Sequence, residues 1–173
     1  MRKKEILPST EEMIDQYADM VYRIAMNEMR NREDAEDVFQ EVFLRLVRYR
    51  SRIENEEHLK AWLIRVTINC AAKHHGNAWN RKVVFFDGEE ENQSVDGQSD
   101  REYERVENAG SPVSAAVAGL PEKYRIAVHL FYYEEMSVEQ IAGILGEMES
   151  TVKSRLHRAR QMLKIELEGE ELL

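Results

Sequence analysis

Lys153, Ser154, His157 and Arg158 follow one another at steps of one, three and one, which on a helix puts all four on one side. Their chemistry suits base edges: the ammonium and guanidinium donate, the hydroxyl donates and accepts, and the imidazole does either according to its tautomer. Arg155 and Arg160 flank the group and suit phosphates. Val152 and Leu156, one turn apart, supply the inner face of the same helix. Upstream, Ser137 and Gln140 have capping-box spacing. Ile141, Ala142 and Leu145 form an apolar face, and Gly146 can take the positive φ of a tight turn. Cap, apolar helix, turn and basic second helix together have the layout of a helix-turn-helix that enters the major groove. A plain basic surface helix would explain the cations but neither the cap nor the turn.

The net charge of −9 argues at first against a nucleic-acid partner, but its distribution argues for one. Residues 44–82 carry nine Lys and Arg against three Asp and Glu, and residues 149–164 carry five against one. Two basic blocks therefore stand in an acidic chain, and each can face phosphates. One block alone would read as a solvated surface. Two blocks that coincide with sequence motifs point to DNA.

The sequence also bounds what the chain is not. Its single cysteine, Cys70, excludes an intrachain disulfide and a four-cysteine zinc site, and fits a reducing cytoplasm. Cys70 and His74 are one helical turn apart, but two ligands do not close a zinc shell, so neither a metal nor another cofactor is expected. Gly-rich phosphate loops, nucleophile elbows and zinc-protease patterns are absent from the sequence. No catalytic residue, and hence no enzyme, is expected. No apolar stretch reaches the roughly 20 residues of a membrane span, and Met1–Thr10 lacks the apolar run of a signal peptide.

The elements that must position these groups are helices. Met13, Tyr17, Met20, Val21, Ile24 and Met29 fall on one face of a first helix over 10–30. Ala35, Val38, Phe39, Val42, Phe43, Leu46 and Val47 mark a second. After a polar break over 49–57, Leu59, Trp62, Leu63 and Val66 mark a third, expected to stop near Gly76, with Trp62 packed in the core. Residues 83–111 are acidic and lack sustained periodicity, so they read as a flexible linker. Ser111-Pro112 then gives an N-cap and a proline at the first helical position. Pro121 opens a helix with Tyr124, Ala127, Val128 and Phe131 on one face, and a last helix is expected over Thr151–Leu163. The predicted fold is all-α. Two small helical domains, 1–82 and 112–173, are joined by the acidic linker 83–111, and the second domain is the helix-turn-helix.

Four stretches in order carry a family resemblance. Asp34-Ala-Glu-Asp-Val-Phe-Gln-Glu-Val-Phe-Leu-Arg-Leu resembles the polymerase-binding helix of the extracytoplasmic-function (ECF) sigma factors of bacterial RNA polymerase. Ala61-Trp-Leu-Ile-Arg-Val-Thr-Ile-Asn-Cys-Ala-Ala-Lys resembles their promoter-melting helix. Thr151-Val-Lys-Ser-Arg-Leu-His-Arg-Ala-Arg resembles their upstream-element recognition helix, and Leu120-Pro-Glu-Lys-Tyr-Arg-Ile-Ala-Val-His-Leu a helix that precedes it there. The resemblance implies a non-enzymatic subunit that binds core polymerase and directs it to promoters. Asp37, Gln40, Glu41, Phe43 and Val47 would dock on the coiled coil of the largest polymerase subunit, and the C-terminal domain would meet the flap. Tyr49, Arg52, Asn55, His58 and Asn69 would capture unpaired bases of the −10 element, with Arg65, Lys73, Arg81 and Lys82 on its phosphates. Trp79 is a further stacking candidate. Lys153, Ser154, Arg155, His157, Arg158 and Arg160 would bind the −35 duplex. Met148 stands where the family favours a small capping residue. The resemblance also implies an anti-sigma partner. The rival reading is a dimeric helix-turn-helix regulator that acts without polymerase.

The linker length fits the first reading. As coil it spans roughly 30 Å, and drawn out about 90–100 Å, against roughly 70 Å between elements two helical turns apart. Its carboxylates, Glu89–Glu91 among them, would also mask the basic helices in the free protein.

Overall fold

The computed structural model describes residues 6–29, 31–75 and 111–171. Among them all regular structure is helical. The chain divides into two compact units. The first contains α1 (Thr10–Glu28), α2 (Arg32–Tyr49), a 3₁₀ turn (Arg50–Arg52) and α3 (Glu56–His75). The second contains α4 (Pro112–Ala118), α5 (Glu122–Val128), a π turn (His129–Tyr133), α6 (Val138–Leu145) and α7 (Glu149–Glu171). The linker expected over 83–111 lies outside the described residues but for its last position.

Each helix of the first unit starts where a side chain can satisfy its open N–H groups. Ser9 and Glu12 form a capping box on α1. Asn31 Oδ1 accepts from the Asp34 amide at 2.8 Å, and Asn55 Oδ1 accepts from the His58 amide at 2.8 Å. All three helices pack on one another. Met13, Ile24, Leu46, Leu59, Leu63, Ile64 and Ile68 are fully buried between them. Each contributes roughly 1.5–3 kcal/mol by leaving water, which decides the direction in which every helix faces. Arg50 anchors the turn after α2: its Nη1 donates to Thr10 Oγ1 and its Nη2 to the Pro8 carbonyl, both at 2.9 Å. That fixes the loop carrying Arg52 and Asn55 to the start of α1.

In the second unit, Ser111 caps α4 with Pro112 in its first turn. Ser137 and Gln140 form the expected capping box on α6, and Gly146 ends α6 in the left-handed region at φ 64°. α7 packs on α4, α5 and α6 through Val152, Leu156 and Ala159, each at most 1% exposed. Two expectations are corrected. The helix after Pro121 does not run regularly to Phe131. The Glu134 amide bonds the His129 carbonyl at 3.2 Å, a five-residue step, and this π turn rotates the chain so that Leu130 is buried and Phe131 is only half-buried. The last helix is also longer than Thr151–Leu163. Gln161 to Glu168 are good helix formers without a proline, and α7 continues to Glu171.

Candidate functional site

Three surfaces carry the candidate residues. On α2, Asp37, Gln40, Glu41 and Val47 are exposed and share one side. Leu44 lies among them at helical spacing. Leu44 and Val47 are 56% and 60% exposed, an apolar pair that the fold leaves uncovered. Sequence reasoning missed Leu44, although its position three residues before Val47 and four after Gln40 was the available signal. Phe43 faces the other way: it is 7% exposed, with its ring 4.8 Å from Phe39 in an edge contact. Glu41 accepts from Arg45 Nε at 2.8 Å. The side chain on this face with the most apolar area to lose is therefore Val47 or Leu44, not Phe43.

The second surface runs along α3. His58, Trp62, Arg65, Asn69 and Lys73 recur at steps of four and three, a single stripe. Trp62 was expected in the core. It is instead half-buried at the surface, stacked on Tyr49 with centroids 4.8 Å apart and planes within 5°. His58 meets the same Tyr49 ring edge-on, and the Arg52 guanidinium lies 5.8 Å from its centroid. The His58 Nδ1 accepts from the Glu54 amide at 3.1 Å, so neutral His58 carries its proton on Nε2, as a donor. Asn55 spends its oxygen on the cap of α3. Arg65 is half-buried, and burial pulls its guanidinium below the ordinary arginine pKa. Asn69 Nδ2 is buried with no hydrogen-bond partner among the described residues. Arg81, Lys82 and Trp79 lie outside the described residues.

The third surface is α7. Lys153, Ser154, His157, Arg158 and Arg160 are exposed above the buried Val152, Leu156 and Ala159. Arg155 is half-buried and donates Nη2 to Glu147 Oε1 at 3.0 Å, bracing the turn between α6 and α7. Arg158 hydrogen-bonds the Tyr124 phenol and, with Lys123, lowers its pKa. Met148 makes its contribution to the start of α7 through its backbone: its carbonyl accepts from Thr151 and Val152, while its side chain is 71% exposed.

The histidine and cysteine considered for metal do not meet. Cys70 is buried, and burial pushes its thiol up to about 11. Cys70 is therefore expected to resist iodoacetamide at neutral pH and to react at once in denaturant; comparable rates in both would contradict its burial. His74 instead bonds Asp34 at 2.8 Å. Asp34, Asp37 and His74 bring three possible ligand atoms within 4.8 Å of one another. The hydrogen bonds from His74 and Asn31 hold the Asp34 carboxyl below its usual pKa.

One helical unit with an exposed basic helix after a tight turn, and another bearing an aromatic and cationic stripe, define a DNA-binding protein of the helix-turn-helix class. Comparison places it more narrowly. Residues 13–81 match the family model for sigma-70 region 2, and residues 112–163 that for sigma-70 region 4. The ECF RNA polymerase sigma factor SigL of Mycobacterium tuberculosis is 31% identical, over 90% of this chain and 87% of the relative. SigE of Mycolicibacterium smegmatis is also 31% identical over 91% of this chain, which spans 61% of that longer relative. The fold resembles the sigma factor RpoE of Bartonella quintana, solved with the anti-sigma factor NepR (TM-score 0.65, 22% identity, 91% of this chain and 96% of that one). It also resembles CnrH, solved with the cytosolic domain of CnrY (TM-score 0.64, 19% identity, 92% and 88%). The chain belongs to the ECF sigma factors, the family that directs promoter-specific transcription by RNA polymerase. Sigma factors are not enzymes, and among the described residues no helix is long and apolar enough to cross a membrane.

Proposed function

We propose that this chain binds core RNA polymerase through the exposed side of α2, reads melted −10 DNA with the α3 stripe, and reads −35 duplex with α7. The observation that carries the reading is the pairing of two unlike surfaces on one chain. α7 has the cations and hydrogen-bonding groups of a duplex reader, and α2 has an uncovered apolar pair rimmed by carboxylates and an amide, which suits a protein partner. Residues 1–82 act as the core-binding and −10 domain, 112–173 as the −35 domain, and 83–111 as the connection between them. Asp37, Gln40, Glu41, Leu44 and Val47 dock polymerase. Tyr49, Trp62, Arg65, Asn69 and Lys73 form the single-strand surface, with Arg52 and His58 supporting the Tyr49 ring, Asn55 shaping the loop, and Arg81 and Lys82 on phosphates. Lys153, Ser154, His157 and Arg158 read bases, and Arg155 and Arg160 hold phosphates. The chain works in the cytoplasm, has no catalytic residue, and is restrained by an anti-sigma factor, as two of its structural neighbours are bound to such partners or to a cytosolic domain.

A dimeric regulator acting alone fits less well. It would leave Leu44 and Val47 without use, and an acidic chain with one modest basic face binds duplex weakly by itself. Run-off transcription from a promoter library with purified core polymerase separates the two readings. Transcripts are expected only when this protein is added. Tight, specific binding of a palindromic duplex by the protein alone, with no transcripts, would establish the rival.

A further inference from the structure

Asp34 and Asp37 stand one turn apart near the start of α2, and His74 arrives from the last turn of α3, 40 positions beyond Asp34 in the chain. One ligand atom from each, two carboxylate oxygens and an imidazole nitrogen, lie within 4.8 Å of one another. His74 Nε2 is 2.8 Å from Asp34 Oδ1. On a six-coordinate ion with bonds of about 2.1 Å, neighbouring ligands stand about 3 Å apart and opposite ones about 4.2 Å. The separations are close to those of a ligand set, and a small turn of the exposed Asp37 side chain completes it. Sequence spacing pairs His74 with Cys70; the fold pairs it with carboxylates of another helix instead.

Two features set this group apart from a pair of solvated surface carboxylates. One is how firmly it is held. Ala35 and Val38 on α2 and Ala71 on α3 are buried, so the helices cannot part without opening the core. Asn31 Nδ2 donates to Asp34 Oδ2 at 2.7 Å and leaves Oδ1 to face His74. Such a bond to the outer oxygen is how ligating carboxylates are oriented. The other feature is the imidazole, which suits zinc and its late first-row neighbours better than magnesium or calcium. We propose that Asp34, Asp37 and His74 bind one such divalent ion, with water completing its shell, and that the ion competes with RNA polymerase for Asp37. In the pair as it stands, one hydrogen bridges Nε2 and Oδ1. The ion takes its place, and that hydrogen leaves as a proton or moves to Nδ1. Cys70 stays outside the set because its thiol is buried. The competition, unlike the site, rests on the reading that α2 docks polymerase. Bound metal neutralises Asp37 and ties it to α3, so a basic group of the partner loses its counter-charge. By linkage, polymerase weakens metal binding by the same factor.

The test uses the full chain, stripped by a chelator and titrated with zinc alone in a phosphate-free buffer. Calorimetry is expected to show saturable uptake of one equivalent. His74→Gln and Asp37→Asn replace exposed side chains, and each is expected to weaken uptake about tenfold or more, while Cys70→Ala binds zinc as the wild type does. Zinc should raise the unfolding midpoint of the wild type and leave that of His74→Gln unmoved. No uptake, or equal uptake by wild type and His74→Gln, would overturn the site. Core polymerase is then titrated with and without zinc. The wild type is expected to lose about threefold in affinity, and His74→Gln, which keeps Asp37 but not the ion, to be indifferent. His74-dependent uptake with no change in core affinity would overturn the competition. If Asp37→Asn then also binds core normally, the fault lies with Asp37 as a docking residue rather than with the site.

Discussion

Replacing Leu44 and Val47 together by glutamate is expected to weaken binding of core polymerase by roughly a hundredfold while leaving the fold intact. Both side chains are more than half exposed in the free protein, so their replacement removes no core contact. At an interface each would bury the half of its surface that is still exposed, about 1–1.5 kcal/mol apiece, which sets the hundredfold scale; a desolvated carboxylate in that position acts in the same direction. In the proposed interface Gln40 and Glu41 would form the rim, and Glu41 already has Arg45 as a partner. Their individual substitution should cost about 1 kcal/mol or less. Phe43 is the wrong residue for the experiment. It is buried, so Phe43→Ala would lose about 3–5 kcal/mol of folding stability and mimic an interface defect. Titration of labelled protein with core polymerase, beside thermal unfolding of the same variant, separates the cases. Unaltered core affinity of the double variant would remove α2 from the interface.

The elements legible in the sequence were those whose signals are local. Ser137 and Gln140 cap α6, Gly146 turns the chain, and Val152 and Leu156 bury the inner face of α7 because cap, turn and periodicity are set within a few residues. The same logic placed Lys153, Ser154, His157 and Arg158 on the outside. What the sequence did not disclose depends on contacts between helices. Trp62 has the periodicity of a core residue, and only the arrival of Tyr49 from the end of α2 gives it a stacking partner at the surface. Leu44 looks like one more apolar residue of an amphipathic helix until α1 and α3 are seen to cover the other side. Arg155 looks like a flanking phosphate ligand, and its engagement with Glu147 spans the turn between two helices. The π turn at His129 is a choice between hydrogen-bond partners one residue apart, which periodicity does not resolve.

Asn69→Leu is expected to leave the thermal midpoint unchanged or raised and to slow promoter melting about tenfold. The amide nitrogen of Asn69 is buried without a partner among the described residues, and a group in that state costs roughly 1–3 kcal/mol. A leucine of similar size removes the cost, so a purely structural role predicts no loss of function and some gain in stability. A reading role predicts the same stability but slower melting. Asn69 lies on α3 in line with Trp62 and Arg65, beyond the Tyr49–Trp62 stack, so an unpaired base laid along the stripe would meet its partly exposed side chain and draw the amide out of its unsatisfied position. One good base contact is worth about 1–3 kcal/mol, which sets the tenfold scale. Permanganate reactivity of unpaired thymines follows melting directly, and a matched unfolding curve follows stability. A variant that melts promoters at the normal rate would exclude Asn69 as a reader. One that loses several degrees of stability would show that the amide supports the helix bundle, and the strand would then have to be read by Arg65 and the stacked rings without it.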